Sequence, residues 1–121
     1  MIYTKKDIEA LDSVTRLKLI NSVTGIKPAN LIGTISKEGL TNLAVFSSIV
    51  HLGSNPALLG FVSRPKTAEV GHTFRNIKEN NCYTINHIHP SFIKQAHYTS
   101  AKFDSETSEF TRCHLSEEYH D

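Results

Sequence analysis

Apolar positions along this chain follow two different periods, and the change between them separates helices from strands. Ile8, Leu11, Val14, Leu17 and Ile20 stand three residues apart, a helical spacing across the N-terminal segment. Asp12 is a natural N-cap, which predicts a helix over 13–23, and Gly25 supplies its stop. Lys27-Pro28 biases the backbone toward an extended form and leads into a first strand over 31–36. Lys37-Glu38-Gly39 reads as a short hairpin turn in which Gly39 takes a positive φ. The chain returns over 40–46 with only loose alternation, as expected where one face meets a core and the other a ligand or partner.

Residues 58–62 are a short apolar run, which predicts a buried strand. Residues 72–80 predict a short helix opened by His72 or Thr73, with Phe74 and Ile77 facing inward and Asn80-Asn81 closing it. A further strand is expected over 82–85, with Cys82 packed at its start as a small hydrophobe. Pro90-Ser91 begins another helix over 91–98, and the tail from Phe103 is polar and acidic. Strand pairs interrupted by short helices predict a mainly β fold, a small barrel with peripheral helices, rather than a doubly wound parallel sheet. No G-x-G-x-x-G follows a strand, which argues against a Rossmann nucleotide site.

Size and charge narrow the partners. The 121 residues fit one domain, 1–121, able to bury about two-thirds of the unfolded surface. A formal net charge of +1 with interspersed acids and bases gives no electrostatic case for nucleic acid or an anionic membrane. No apolar run approaches the roughly 20 residues of a membrane span. Cys82 and Cys113 lie far apart with no CxxC pair, and Lys5-Lys6-Asp7 interrupts any secretory leader, so free thiols and a cytoplasmic setting are expected. A small molecule or a second copy of the chain is the expected partner.

The candidate chemistry is anion binding. Arg64 stands at the end of the 58–62 run, before Pro65, where a guanidinium can hold a phosphate through paired charge-assisted hydrogen bonds. A surface arginine at a strand end is the plain alternative. Thr73 at a helix start can add its hydroxyl and backbone N–H to the same anion, or simply cap its own helix. Lys66 and Thr67 lie between the two and could reach the same phosphate.

Other chemistry has less behind it. His87, His89 and His97 suggest a metal, but no HExxH is present and no carboxylate falls at ligand spacing. No G-x-S-x-G elbow occurs, and neither cysteine has a base positioned by sequence.

Read in order, several pieces resemble the flavin reductase-like, FMN-binding split-barrel family. They are Asn42-Leu43-Ala44-Val45-Phe46-Ser47-Ser48, the turn and strand Ser54-Asn55-Pro56-Ala57-Leu58-Leu59, and Ser63-Arg64-Pro65. His72-Thr73-Phe74-Arg75-Asn76-Ile77 and Tyr83-Thr84-Ile85-Asn86 complete the set, which covers roughly residues 11–110. The resemblance implies an FMN-binding split β-barrel of Greek-key-like order, homodimeric, shortened at the C-terminus relative to the family.

The resemblance also implies site residues. Asn42, Ser47, Ser48 and Ile49 would line the isoalloxazine, and Arg64, Lys66, Thr67 and Thr73 would hold the phosphate. His97, in Ala96-His97-Tyr98-Thr99-Ser100-Ala101, would border the active site as the one catalytic candidate, with an exposed histidine as the alternative. The Ser47-Ser48 pair could equally mark a bulge or strand end. The implied function is a flavin reductase-type oxidoreductase taking hydride from NAD(P)H and passing electrons to a flavin or another acceptor. The alternative is a non-catalytic FMN-binding or interaction protein on the same scaffold; a heme- or pyridoxal-phosphate-binding split barrel matches the motif order less well.

Overall fold

Asp12 caps its helix as the sequence predicts, its carboxylate accepting the backbone N–H groups of Val14 (3.0 Å) and Thr15 (3.1 Å). The computed structural model describes residues 2–63, 71–101, 103–104 and 106–119. Among them the elements run α1 Lys5–Ala10, α2 Ser13–Ser22, β1 Asn30–Ile35, β2 Thr41–Phe46, β3 Val50–Ser54 and β4 Ala57–Gly60. There follow α3 His72–Asn80, β5 Thr84–His87, a 3-10 turn Pro90–Phe92, α4 Ile93–Tyr98 and α5 Glu109–Arg112. Gly25 and Gly39 both take positive φ, at +74° and +84°, as their positions as stop and turn require.

β1 is the centre of a three-stranded antiparallel sheet of order β2-β1-β5. The register pairs Thr34 with Asn42, Ile32 with both Ala44 and Ile85, and Leu31 with both Val45 and Asn86. Alternation along β1 therefore sorts the sheet into two faces. Leu31 and Leu43 on one face pack with Ala96 of α4, and Val45, Ile88, Phe92, Phe110 and Leu115 surround them. Asn30, Ile32 and Thr34 point to the other face, where α3 docks, and all three are buried. Gly33 lies where β1 and β5 come close: a Cβ there would meet Thr84 Oγ1 at 2.6 Å, and the Thr84 side chain would have to shift.

The outer edge of β2 is closed by the acidic tail. Glu109, on α5 and only 6% exposed, accepts the backbone N–H of Leu43 at 3.1 Å. Thr41 Oγ1 meets Ser108 Oγ at 2.9 Å and donates to Glu117 at 2.5 Å. A carboxylate on an exposed ladder N–H satisfies a donor that would otherwise invite another strand.

Several sequence expectations need correction. The described residues form no closed barrel: the second sheet is a two-stranded hairpin of β3 and β4. β3 was not foreseen, and the 58–62 run is not buried: Leu58, Leu59 and Val62 are 49–64% exposed. Among the described residues no layer covers Leu58, Leu59 and Val62, and apolar sequence alone cannot supply one. Cys82 is exposed, two residues before a strand that starts at Thr84 rather than 82. The 91–98 helix opens as a 3-10 turn, because His89 caps Pro90–Phe92 through Ser91 N–H at 3.2 Å. The polar tail contains α5, with Glu109 and Cys113 buried.

Candidate functional site

Helix α3 is held to the sheet by polar side chains rather than by the apolar face the sequence suggested. Phe74 is 42% exposed, whereas Asn76 is 2% exposed. Thr73, Asn76 and Asn80 recur at helical spacing and share one face. Asn42 Nδ2 donates to Thr73 Oγ1 at 3.0 Å, Asn76 Nδ2 donates to Thr34 Oγ1 at 3.2 Å, and Asn80 Nδ2 donates to the Ile35 carbonyl at 2.6 Å. The reason is local: at this end of the sheet β1 and β2 present a hydroxyl, an amide and a carbonyl, and buried polar groups require partners.

The N-cap of α3 is Gly71, which has no side chain with which to cap the helix. Thr73 is the second helical residue rather than the cap, and its hydroxyl accepts from Asn42. Asn81 ends the helix in the left-handed conformation, φ +56°, with its N–H on the Ile77 carbonyl at 2.8 Å, as the Asn80-Asn81 stop predicted. A small cleft opens beside this N-terminus, walled by Ser36, Thr41, Asn42, His72, Arg75 and Asn76. Asn76 Oδ1 is buried there without a hydrogen-bond partner.

At the far end of β2 the chain bends through Ser47-Ser48. Ser48 Oγ donates to the Val62 carbonyl at 3.1 Å and accepts the Val62 N–H at 3.2 Å. This two-way tie joins the Ser47-Ser48 bend to Val62, so the Ser48 side chain acts on the backbone. Ser47 is exposed and Ile49 half-buried beside it. Phe61 packs edge-on against Phe46 (centroids 4.8 Å apart) and against Tyr83 (5.3 Å), joining the hairpin's end to the main sheet.

Thus the structure brings Asn42 and Thr73 into contact, and places Ser47, Ser48 and Ile49 at the other end of the same strand. Arg64, Lys66 and Thr67 lie outside the described residues. His97 is exposed on the last turn of α4, and α4 packs on the opposite face of the sheet from α3. His87 ends β5 while His89 caps the next turn, and no group of three metal-ligating side chains occurs among the described residues. Burial, and secondarily the charge of Glu109, pushes the Cys113 thiol above its ordinary value, which disfavours the nucleophilic thiolate. A groove of about 550 Å³ between α4 and α5 holds none of the predicted site residues.

Two buried residues escaped the sequence reading. Thr34 accepts from both Asn76 and Asn42 (the latter at 3.4 Å), and Glu109 closes the β2 edge. Glu109 had a faint signal, since Phe110, Cys113 and Leu115 set an apolar pattern around it. Thr34 had none.

With this geometry in view, comparison with known proteins is informative. Residues 26–120 match the flavin reductase like domain family, so the chain belongs to that family. A Shewanella frigidimarina NCIMB 400 protein, provisionally described as a flavin reductase with a split barrel domain, superposes on the whole of this chain with TM-score 0.92 at 47% identity. Nitrilotriacetate monooxygenase component B from Bacillus cereus shares the fold over 94% of this chain, with TM-score 0.81 at 21% identity. An uncharacterized protein of Aquifex aeolicus (strain VF5) is 25% identical over 112 residues, 92% of this chain. This chain spans 59%, 55% and 57% of those three proteins, respectively.

Proposed function

We propose that this chain binds FMN, with the phosphate at the N-terminus of α3 and the ring toward the Ser47-Ser48 end of β2, in an NAD(P)H-dependent flavin reductase-type oxidoreductase. The observation that carries the reading is the Thr73 hydroxyl in the first turn of a helix whose N-cap, Gly71, has no side chain. One of its lone pairs is taken by Asn42 Nδ2 at 3.0 Å. The positive end of a helix dipole and a hydroxyl able to donate suit an anion. From Asn42 to Ser47 the strand rises roughly 16 Å, a span suited to a ligand with a phosphate at one end and a planar ring at the other.

When bound, the flavin supplies the two-electron chemistry, taking a hydride from the nicotinamide. The chain's own residues bind and orient. Thr73 and the first turn of α3 would hold the phosphate, and Arg64, Lys66 and Thr67 would add charge and hydrogen bonds on the reading drawn from the family resemblance. The Ser48–Val62 tie holds the bend at the end of β2, and backbone groups of 47–49 would face the ring's polar edge. No protein acid or base is required of this set.

A second copy of the chain would cover the β3–β4 hairpin, whose Val50, Leu52, Leu58 and Leu59 are 45–63% exposed. A two-stranded hairpin that leaves its apolar side chains bare is marginal alone.

The test is spectroscopic. The purified protein should take up FMN, retain it after removal of excess, and lose its visible absorbance when NADH or NADPH is added without oxygen. Retained colour that neither donor bleaches would favour the non-catalytic FMN-binding alternative. Arg64→Ala should lower FMN affinity at least tenfold, by about 1.5–3 kcal/mol for a hydrogen bond to a charged group, with the fold unchanged. Unchanged affinity would remove the arginine from the phosphate site.

A further inference from the structure

We infer that Asn42 is a positioning residue: it acts through Thr73 to make the α3 N-terminus selective for an anion, and does not itself touch the flavin. This rests on the phosphate reading above and refines it. Asn42 is 6% exposed, and its amide nitrogen has two hydrogens. The structure gives Nδ2 two acceptors, Thr73 Oγ1 at 3.0 Å and Thr34 Oγ1 at 3.4 Å, so its donors are spent inside the protein.

The effect on Thr73 follows from hydroxyl chemistry. A hydroxyl carries one proton and two lone pairs. An N–H fixed on one lone pair orients the hydroxyl so that its proton points away from Asn42. Thr73 then offers a donor to whatever sits at the helix start. A phosphate oxygen accepts such a donor.

The support is rigid. Asn42 sits opposite Thr34 in the β1–β2 register, so the sheet itself sets where its amide lies. Asn76, three residues beyond Thr73, donates to the same Thr34 hydroxyl at 3.2 Å. Two side chains one turn apart thereby lock α3 to one point on the sheet. Asn76 Oδ1 stays buried and unpartnered, an unfavourable arrangement that the dock tolerates.

The experiment is a double-mutant cycle read as flavin affinity, with FMN and riboflavin as paired probes; riboflavin lacks the phosphate. Thr73→Val should lower FMN affinity ten- to a hundredfold and leave riboflavin affinity unchanged. Asn42→Leu should do the same alone and add nothing in the Thr73→Val background. Losses that add, or an equal loss for riboflavin, would overturn the inference and make Asn42 a flavin contact or a purely structural residue. Should Asn42→Leu fail to fold, Asn42→Asp is nearly isosteric and replaces the donor by an acceptor. Its selective loss for FMN should vanish once Thr73→Val is present, whereas simple charge repulsion would persist there. A wild-type protein that binds neither probe would overturn the phosphate reading and this inference together. Wild-type preference for FMN with an additive cycle would overturn this inference alone.

Discussion

The main sheet and the β3–β4 hairpin show opposite relations between residue type and burial. β1 carries two polar residues, Asn30 and Thr34, at 1% and 7% exposure, beside Ile32 at 0%. The hairpin carries Val50, Leu52, Leu58 and Leu59, all 45–63% exposed. Burial in the first case is supplied by α3 on one face and by α4 and α5 on the other. Nothing among the described residues supplies it in the second. A strand's sequence states what it can bury; its neighbours decide what it does bury.

The sharpest way to break that comparison is a pair of truncations. Ile32→Ala should destabilise by about 2–5 kcal/mol, since the side chain is fully enclosed. Leu59→Ala should cost the isolated chain no more than about 0.5 kcal/mol. Denaturant melts of both at low protein concentration compare them directly. Equal losses would mean that the hairpin is packed as tightly as the sheet. A Leu59→Ala loss that grows with protein concentration would instead identify a second copy on the hairpin.

A smaller effect is expected at the sheet's closed edge. Glu109→Ala removes the acceptor of the Leu43 N–H and should cost about 1.5–3 kcal/mol, read by the same melts. Glu109→Gln, which keeps an acceptor, should recover part of it. No difference between the two variants would mean that the carboxylate does not close the edge.

The cysteines repeat the contrast more gently. Exposed Cys82 should react with a thiol reagent quickly, while Cys113, 3% exposed and shifted upward by burial, should react only on unfolding. Two equally fast thiols would contradict the packing of α5.

The smallest effect is set by pH. Hydrogen bonds from the Thr41 hydroxyl, and then from Tyr119, hold the Glu117 carboxyl below its ordinary value of 4.5. A folded value lowered in this way adds stability that is present above pH 4.5 and is lost as pH falls through the lowered value. Wild type should therefore melt slightly above Glu117→Gln near neutrality, and the gap should close in acid. A gap that widens in acid would have the wrong sign.

Much of the fold was legible because its signals are local. Asp12 caps α2 through residues two and three positions away, Gly39 turns a hairpin, and Asn81 ends α3. The dock beneath α3 was not legible, because its bonds join residues 31 to 45 positions apart: Asn42 to Thr73, Asn76 to Thr34, and Asn80 to Ile35. Glu109 and Leu43 are 66 positions apart. Such pairs have no periodicity. The family order did single out Asn42 and Thr73, but only the structure revealed that one holds the other.

The central claim is that the α3 N-terminus recognises a phosphate. Titrating the purified protein with FMN and with riboflavin, followed by flavin fluorescence, tests it most directly. FMN should bind at least tenfold more tightly than riboflavin, and added salt should narrow the gap, since screening weakens the phosphate contacts. Equal affinities for the two flavins, or no uptake of FMN, would contradict it.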